Sequence, residues 1–135
     1  MKEITLAAKL ENIPVVTDFI EEALDAVDGQ MKAKLQIDVA IDELFNNISS
    51  YAYPGGGGEA TVQFSFDEAE RMAAITFIDS GIPFNPLKAG EPDINLPVEL
   101  RGVGGLGIML VKKTMDDMRY ERVGEKNILT IYKRV

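Results

Sequence analysis

The chain has 135 residues, no cysteine and no histidine, and its 14 Lys and Arg against 22 Asp and Glu give a formal net charge of −8. Without cysteine there are no disulfides and no thiolate zinc sites. Without histidine there is no Ser-His-Asp chemistry, no imidazole metal ligand and no autophosphorylation on histidine, so acid–base work falls to a carboxylate, a lysine or a tyrosine.

The length suits one domain, residues 1–135, with a core of its own, and 46% hydrophobic with 27% charged residues mark a globular chain. The negative balance argues against a nucleic-acid backbone as the main partner. No apolar run approaches the roughly 18 residues a membrane helix needs, and Met1–Leu10 does not read as a signal peptide, so a cytoplasmic protein with no membrane contact is expected.

Lys2–Ala8 alternates, with Ile4, Leu6 and Ala8 on one side, and reads as a short strand. Asn12 suits the cap of a helix opening at Ile13, and Pro14 is acceptable in its first turn. Val15, Val16, Phe19, Ile20, Ala23, Leu24 and Val27 then follow helical spacing, and Gly29 is a natural stop. A second helix is expected from about Met31 to Ser50, with Leu35, Ile37, Ala40, Ile41, Leu44, Phe45 and Ile48 as its apolar stripe. Glu43 and Asn47 lie near the margin of that stripe, four residues apart and so on one face. The carboxylate can orient or deprotonate a nucleophile, and the carboxamide oxygen can ligate a hard cation such as Mg²⁺. Pro54 and Gly55–Gly58 forbid continuation of the helix.

Glu59–Asp67 and Met72–Ile78 alternate as the two strands of an antiparallel hairpin, turning at Asp67–Glu70. The second strand runs into Asp79-Ser80-Gly81-Ile82-Pro83-Phe84-Asn85-Pro86. An aspartate ending an apolar strand needs solvent or specific donors. Asp79 suits a hydrogen bond from the exocyclic amine of a purine, and Gly81 would let the ring approach the backbone. Leu87–Arg101 has no clear period and reads as a long functional loop. After it, Gly102, Gly104, Gly105 and Gly107 pass into a helical pattern that reaches about Met115, an arrangement that offers N–H groups and a positive dipole end to an anion. Arg101 stands where it could reach a terminal phosphate. Strands near Met118–Val123 and Asn127–Val135 close the chain, and Thr130 in the last of them is a candidate ligand contact.

The order of these signals carries more than each alone: a helix with E-x-x-x-N, a hairpin ending in D-x-G, a long loop and a glycine-rich helix start. On these residues the chain resembles the GHKL ATPase superfamily. Glu43-Leu44-Phe45-Asn46-Asn47 matches its N box, Asp79-Ser80-Gly81 its adenine box, and Gly105-Leu106-Gly107 its phosphate-loop box. Within the superfamily it looks most like the RsbW-like anti-sigma-factor serine kinases, through Y-A-Y after the N box, D-S-G-I-P-F-N-P, and G-G-L-G-I-M-L-V followed by Met115-Asp116.

The resemblance implies ATP and Mg²⁺ as cofactors, with Glu43 as general base and Asn47 on the metal. Asp79 and Gly81 would read adenine with support from Thr130, and Gly104, Gly105, Leu106 and Gly107 would wrap the phosphates. A lid would span about 87–104, and Arg101, from its place toward the end of that stretch, is assigned to the γ-phosphate. It further implies a STAS-domain anti-anti-sigma factor as substrate, a sigma factor as second partner, and a homodimer. Two positions depart from the family pattern. Tyr51 stands where histidine is usual, and Pro14–Glu22 lacks the basic residue that serves docking in many members.

The fold expected by both routes is an α/β (α+β) two-layer sandwich of the Bergerat type, with helices on one face of a mixed, mostly antiparallel sheet. The functional alternative to the kinase is a non-catalytic module that binds ATP or ADP and sequesters a protein partner.

Overall fold

The computed structural model describes residues 1–89 and 104–135. Its elements run β1 (Lys2–Ala7), α1 (Ile13–Ala26), α2 (Met31–Asn47), β2 (Glu59–Asp67), β3 (Met72–Asp79), α3 (Pro86–Ala89), α4 (Gly104–Thr114), β4 (Asp117–Val123) and β5 (Lys126–Arg134). The alternating segments all become strands, since burying every second residue is what a sheet with one covered face demands. In β3 the inward set is Ala73, Ile75, Phe77 and Asp79, and in β5 it is Asn127, Leu129 and Ile131.

The strand order is β1-β2-β3-β5-β4. Every pairing is antiparallel, so the parallel component expected of a mixed sheet is not found among the described residues. Two of the four pairings are hairpins, β2–β3 and β4–β5, and β3 meets β5 with Phe77 opposite Leu129 and Asp79 opposite Asn127. The helices lie on one face, as expected. Val16, Ile20 and Leu24 of α1, Ile37, Ile41, Leu44 and Phe45 of α2, and Ile108 and Val111 of α4 join Val62, Ile75, Phe77 and Ile131 of the sheet in one core. Each such large side chain, fully buried, is worth roughly 1.5–3 kcal/mol.

Helix ends differ in detail from the sequence reading. Asn12 does not cap α1 with its side chain, because a 3₁₀ turn over Leu10–Asn12 precedes the helix and the Asn12 amide donates instead to the Ala7 carbonyl at 2.8 Å. At the other end Asp28, with φ of 55°, takes the left-handed position, and the Gly29 N–H closes on the Leu24 carbonyl at 2.9 Å. That is a Schellman stop with the glycine one place later than usual.

Candidate functional site

The site is built where the end of α2, the end of β3 and the start of β5 meet. α2 reaches Asn47 as an α-helix and then widens into a π turn over Ile48–Ala52. Such widened turns cluster at functional positions because they re-aim the side chains around them. Asn47 is 7% exposed and lines a cleft shared with Leu44, Ile48, Phe77, Asp79 and Asn127. One turn earlier Glu43 is half-buried, and its Oε1 is shielded from solvent with no hydrogen-bond partner among the described residues. Burial pushes the Glu43 carboxyl above the usual carboxylate range. A carboxylate held this way is a better proton acceptor than a solvated one.

Asp79 closes β3 and is 6% exposed. Its Oδ1 accepts from the Gly81 N–H at 2.9 Å and from the Asn127 amide at 2.9 Å. The loop after it is strapped on every side. The Ile82 N–H donates to the Ala52 carbonyl at 2.9 Å, Arg122 donates to the Gly81 carbonyl at 2.8 Å, and the Ser80 N–H donates to the Tyr53 hydroxyl at 2.8 Å. That hydroxyl in turn donates to the Glu59 carbonyl at 2.6 Å.

A β-carbon at Gly81 would lie 2.2 Å from the Ala52 carbonyl oxygen, so the missing side chain admits the π turn. The four-glycine run is also structural: Gly56 and Gly57 have φ of 76° and 82°, and Gly58 lies under the Tyr53 ring.

Gly104, Gly105, Leu106 and Gly107 all fall in the first turn of α4, inside the helix rather than before it. The free N–H groups of that turn and its dipole suit an anion. Gly107 abuts the Glu43 carboxylate, which brings the N-box and phosphate-loop residues together. Arg101 and most of the expected lid lie outside the described residues. At the near end Leu87 sits in α3, where its carbonyl accepts from Lys112 of α4.

Thr130 is not brought to the site. It lies on the opposite face of the sheet, bonded to Thr76 through their hydroxyls at 3.0 Å, because its neighbours Leu129 and Ile131 take the inward positions. The β5 residue beside Asp79 is Asn127, three places earlier and therefore of opposite parity. Asn127 and Tyr120 escaped the sequence reading, although the apolar alternation of Leu129 and Ile131 already assigns Asn127 to the inner face. Phe84 and Pro86 complete the cleft wall, and the Tyr51 ring leans on Phe84 with centroids 5.8 Å apart.

The cleft is narrow, with a volume of about 30 Å³. Among the described residues no group of three or more acidic side chains could hold a cation by itself. Asn47 offers one neutral oxygen, which fits Mg²⁺ only if phosphate oxygens and water fill its other positions. No helix among the described residues is long and apolar enough to cross a membrane.

A family model described as a histidine kinase-like ATPase domain matches residues 6–133. The serine-protein kinase RsbW of Bacillus mycoides is 31% identical over 123 residues, which cover 87% of this chain and 74% of that protein. RsbW of Bacillus cereus is 41% identical over 87 residues, but these span 60% of this chain and only about half, 52%, of the relative. The serine/threonine-protein kinase BtrW of Bordetella bronchiseptica is 26% identical over 78% of this chain and 75% of its own length. Among solved structures, the histidine kinase domain of a blue-light activated histidine kinase from Erythrobacter litoralis matches with a TM-score of 0.59 at 15% identity. It covers 90% of this chain and 60% of that one, a likeness of fold alone. With Asn47 and Asp79 lining one cleft and Gly107 of α4 against Glu43 one helical turn from Asn47, the chain belongs to the histidine kinase-like ATPase domain family and, within it, to the RsbW-like serine-protein kinases.

Proposed function

We propose that the chain transfers the γ-phosphoryl group of ATP to a serine or threonine hydroxyl of a STAS-domain anti-anti-sigma factor, and that it sequesters a sigma factor when not so engaged. The observation that carries this reading is Glu43: a half-buried carboxylate with one oxygen unpartnered among the described residues, one turn from Asn47 and against the first turn of α4. A binding module would have no use for such a group.

The residues divide the work. Asp79 accepts a hydrogen bond from the base, and the N–H groups opening α4 receive phosphate oxygens. Mg²⁺, when bound through Asn47, supplies charge neutralisation, which an acidic protein holding a polyphosphate requires. Glu43 takes the proton of the acceptor hydroxyl as its oxygen bonds to the γ-phosphorus and the bond to the ADP oxygen breaks. Arg101 is assigned to the γ-phosphate from its place in the sequence near the end of the expected lid, and a homodimer to the assembly on family resemblance.

The exposed face of α1 carries Asp18, Glu22 and Asp25 and no basic residue, so a partner that docks there must bring the positive charge. The test is radiolabel transfer from ATP to a purified STAS-domain protein by the intact chain and by Glu43→Gln. Transfer lost with ATP affinity kept supports the kinase. ATP binding with no transfer by either protein would leave the non-catalytic module, and absence of ATP binding would remove both readings.

A further inference from the structure

Resting on the nucleotide reading above, one buried side chain in the cleft still has no part in it. Asn127 is 4% exposed, and both ends of its amide are committed. Its Nδ2 donates to Asp79 Oδ1 at 2.9 Å and to the Ile82 carbonyl at 2.8 Å. Its Oδ1 accepts from the Tyr120 hydroxyl at 2.5 Å and from the Phe84 N–H at 3.3 Å. A primary amide has two donor hydrogens and two acceptor lone pairs, so Asn127 is saturated. Its orientation is also unique, since a flipped amide would set oxygen against a carboxylate and a carbonyl, and NH₂ against an N–H.

A saturated side chain has nothing left for a ligand, so its influence runs through Asp79. Oδ1 of Asp79 already takes two donors, Gly81 and Asn127, whereas Oδ2 has no bonded partner among the described residues. Asp79 thus brings to the cleft one free acceptor in a set direction and no donor. A 6-amino purine supplies the matching N–H. A 6-oxo purine would place a lone pair against the carboxylate and leave both groups unpaired, the kind of mismatch buried polar sites reject most strongly.

We propose that Asn127 is a positioning residue for base selection: by clamping one oxygen of Asp79 it aims the other at the ligand's 6-position and so selects a 6-amino purine over a 6-oxo purine. Without the clamp only the Gly81 N–H holds that oxygen, and the terminal torsion of the carboxylate, which is intrinsically broad, is less restrained. Water filling the vacated space can then bridge to an oxo group.

The experiment is calorimetric titration of the intact chain, Asn127→Ala and Tyr120→Phe with Mg-ATP and with Mg-ITP, whose bases differ in carrying an amino or an oxo group at that position. The intact chain is expected to prefer ATP. Asn127→Ala should cut the ATP:ITP preference by ~10-fold, mainly through weaker ATP binding. Tyr120→Phe, which leaves Asn127 in place but removes one of its four hydrogen bonds, should move the ratio the same way by less. Equal weakening of both nucleotides by Asn127→Ala would make Asn127 a structural brace and overturn the proposal, as would an intact chain that binds ITP as well as ATP. If Asn127→Ala does not fold, the Tyr120→Phe ratio decides, an unchanged value being fatal. An intact chain that binds neither nucleotide overturns the nucleotide reading itself, whereas ATP binding with an unmoved ratio sinks only the role of Asn127.

Discussion

Gly107 of α4 lies against the carboxylate of Glu43 on α2: a β-carbon in place of the glycine hydrogen would sit 2.1 Å from Oε2. The contact joins two motifs 64 residues apart in sequence (107 − 43), and it sets the position of the proposed base by the absence of an atom.

Gly107→Ala is therefore expected to push the Glu43 carboxylate aside. The obstructed group is the far end of a flexible side chain, so the fold should survive, and alanine is intrinsically the better helix former. Phosphoryl transfer should fall ~100-fold, the usual cost of misplacing a reacting group by about an ångström. Single-turnover transfer measured beside a thermal melt checks this; lost activity with a collapsed melt would count against it.

The proposed base Glu43 can accept a proton only when ionised, and burial raises the pH at which it ionises. Activity should thus fall as pH drops through a value above the ordinary carboxylate range, not at it. The rate profile of the intact chain is expected to show that acid limb. Glu43→Gln should show no limb and a residual rate lower by ~100-fold or more.

Gly81→Ala meets backbone rather than a movable side chain, with the added carbon 2.2 Å from the Ala52 carbonyl oxygen. The loop after β3 or the π turn must shift, at a cost of about 1–3 kcal/mol. Urea denaturation should show a lower midpoint at unchanged slope. ATP affinity should fall too, because the Gly81 N–H helps to orient Asp79.

Asp38 on α2 predicts a pH effect on stability. Burial comes first among the causes, then the hydrogen bond and charge of Glu21 on α1 and the charge of Asp42. Against the opposing pull of Lys34, these push Asp38 up to about 7. The two carboxyls can bond to each other only with a proton between them. Because the folded value is raised, the arrangement is undiminished below the usual carboxylate range, and stability is lost as pH rises from there through about 7. Asp38→Asn should remove that decline, melting above the parent chain at about pH 8 and close to it at about pH 4. The difference should be modest, since Asp38 is only partly shielded from water.

Local order was legible from the amino-acid sequence because it rests on period and on punctuation. Alternation located β2 at Glu59–Asp67 to the residue, the spacing of Val16, Ile20 and Leu24 located α1, and four glycines marked the end of the α2 region. Glu43, Asn47 and Asp79 could be singled out because a polar group at the edge of an apolar stripe or strand is conspicuous. What each of them faces could not be read that way. The clamp of Asn127 on Asp79, the exile of Thr130 to the outer face and the closure of Gly107 on Glu43 depend on which strand lies beside β3, in what register, and how closely α4 approaches α2. Those are decided by the packing of one shared core. A residue's own neighbours in sequence determine its local conformation and the parity of its side chain, but only the folded chain brings together groups 48 residues apart to saturate one buried amide.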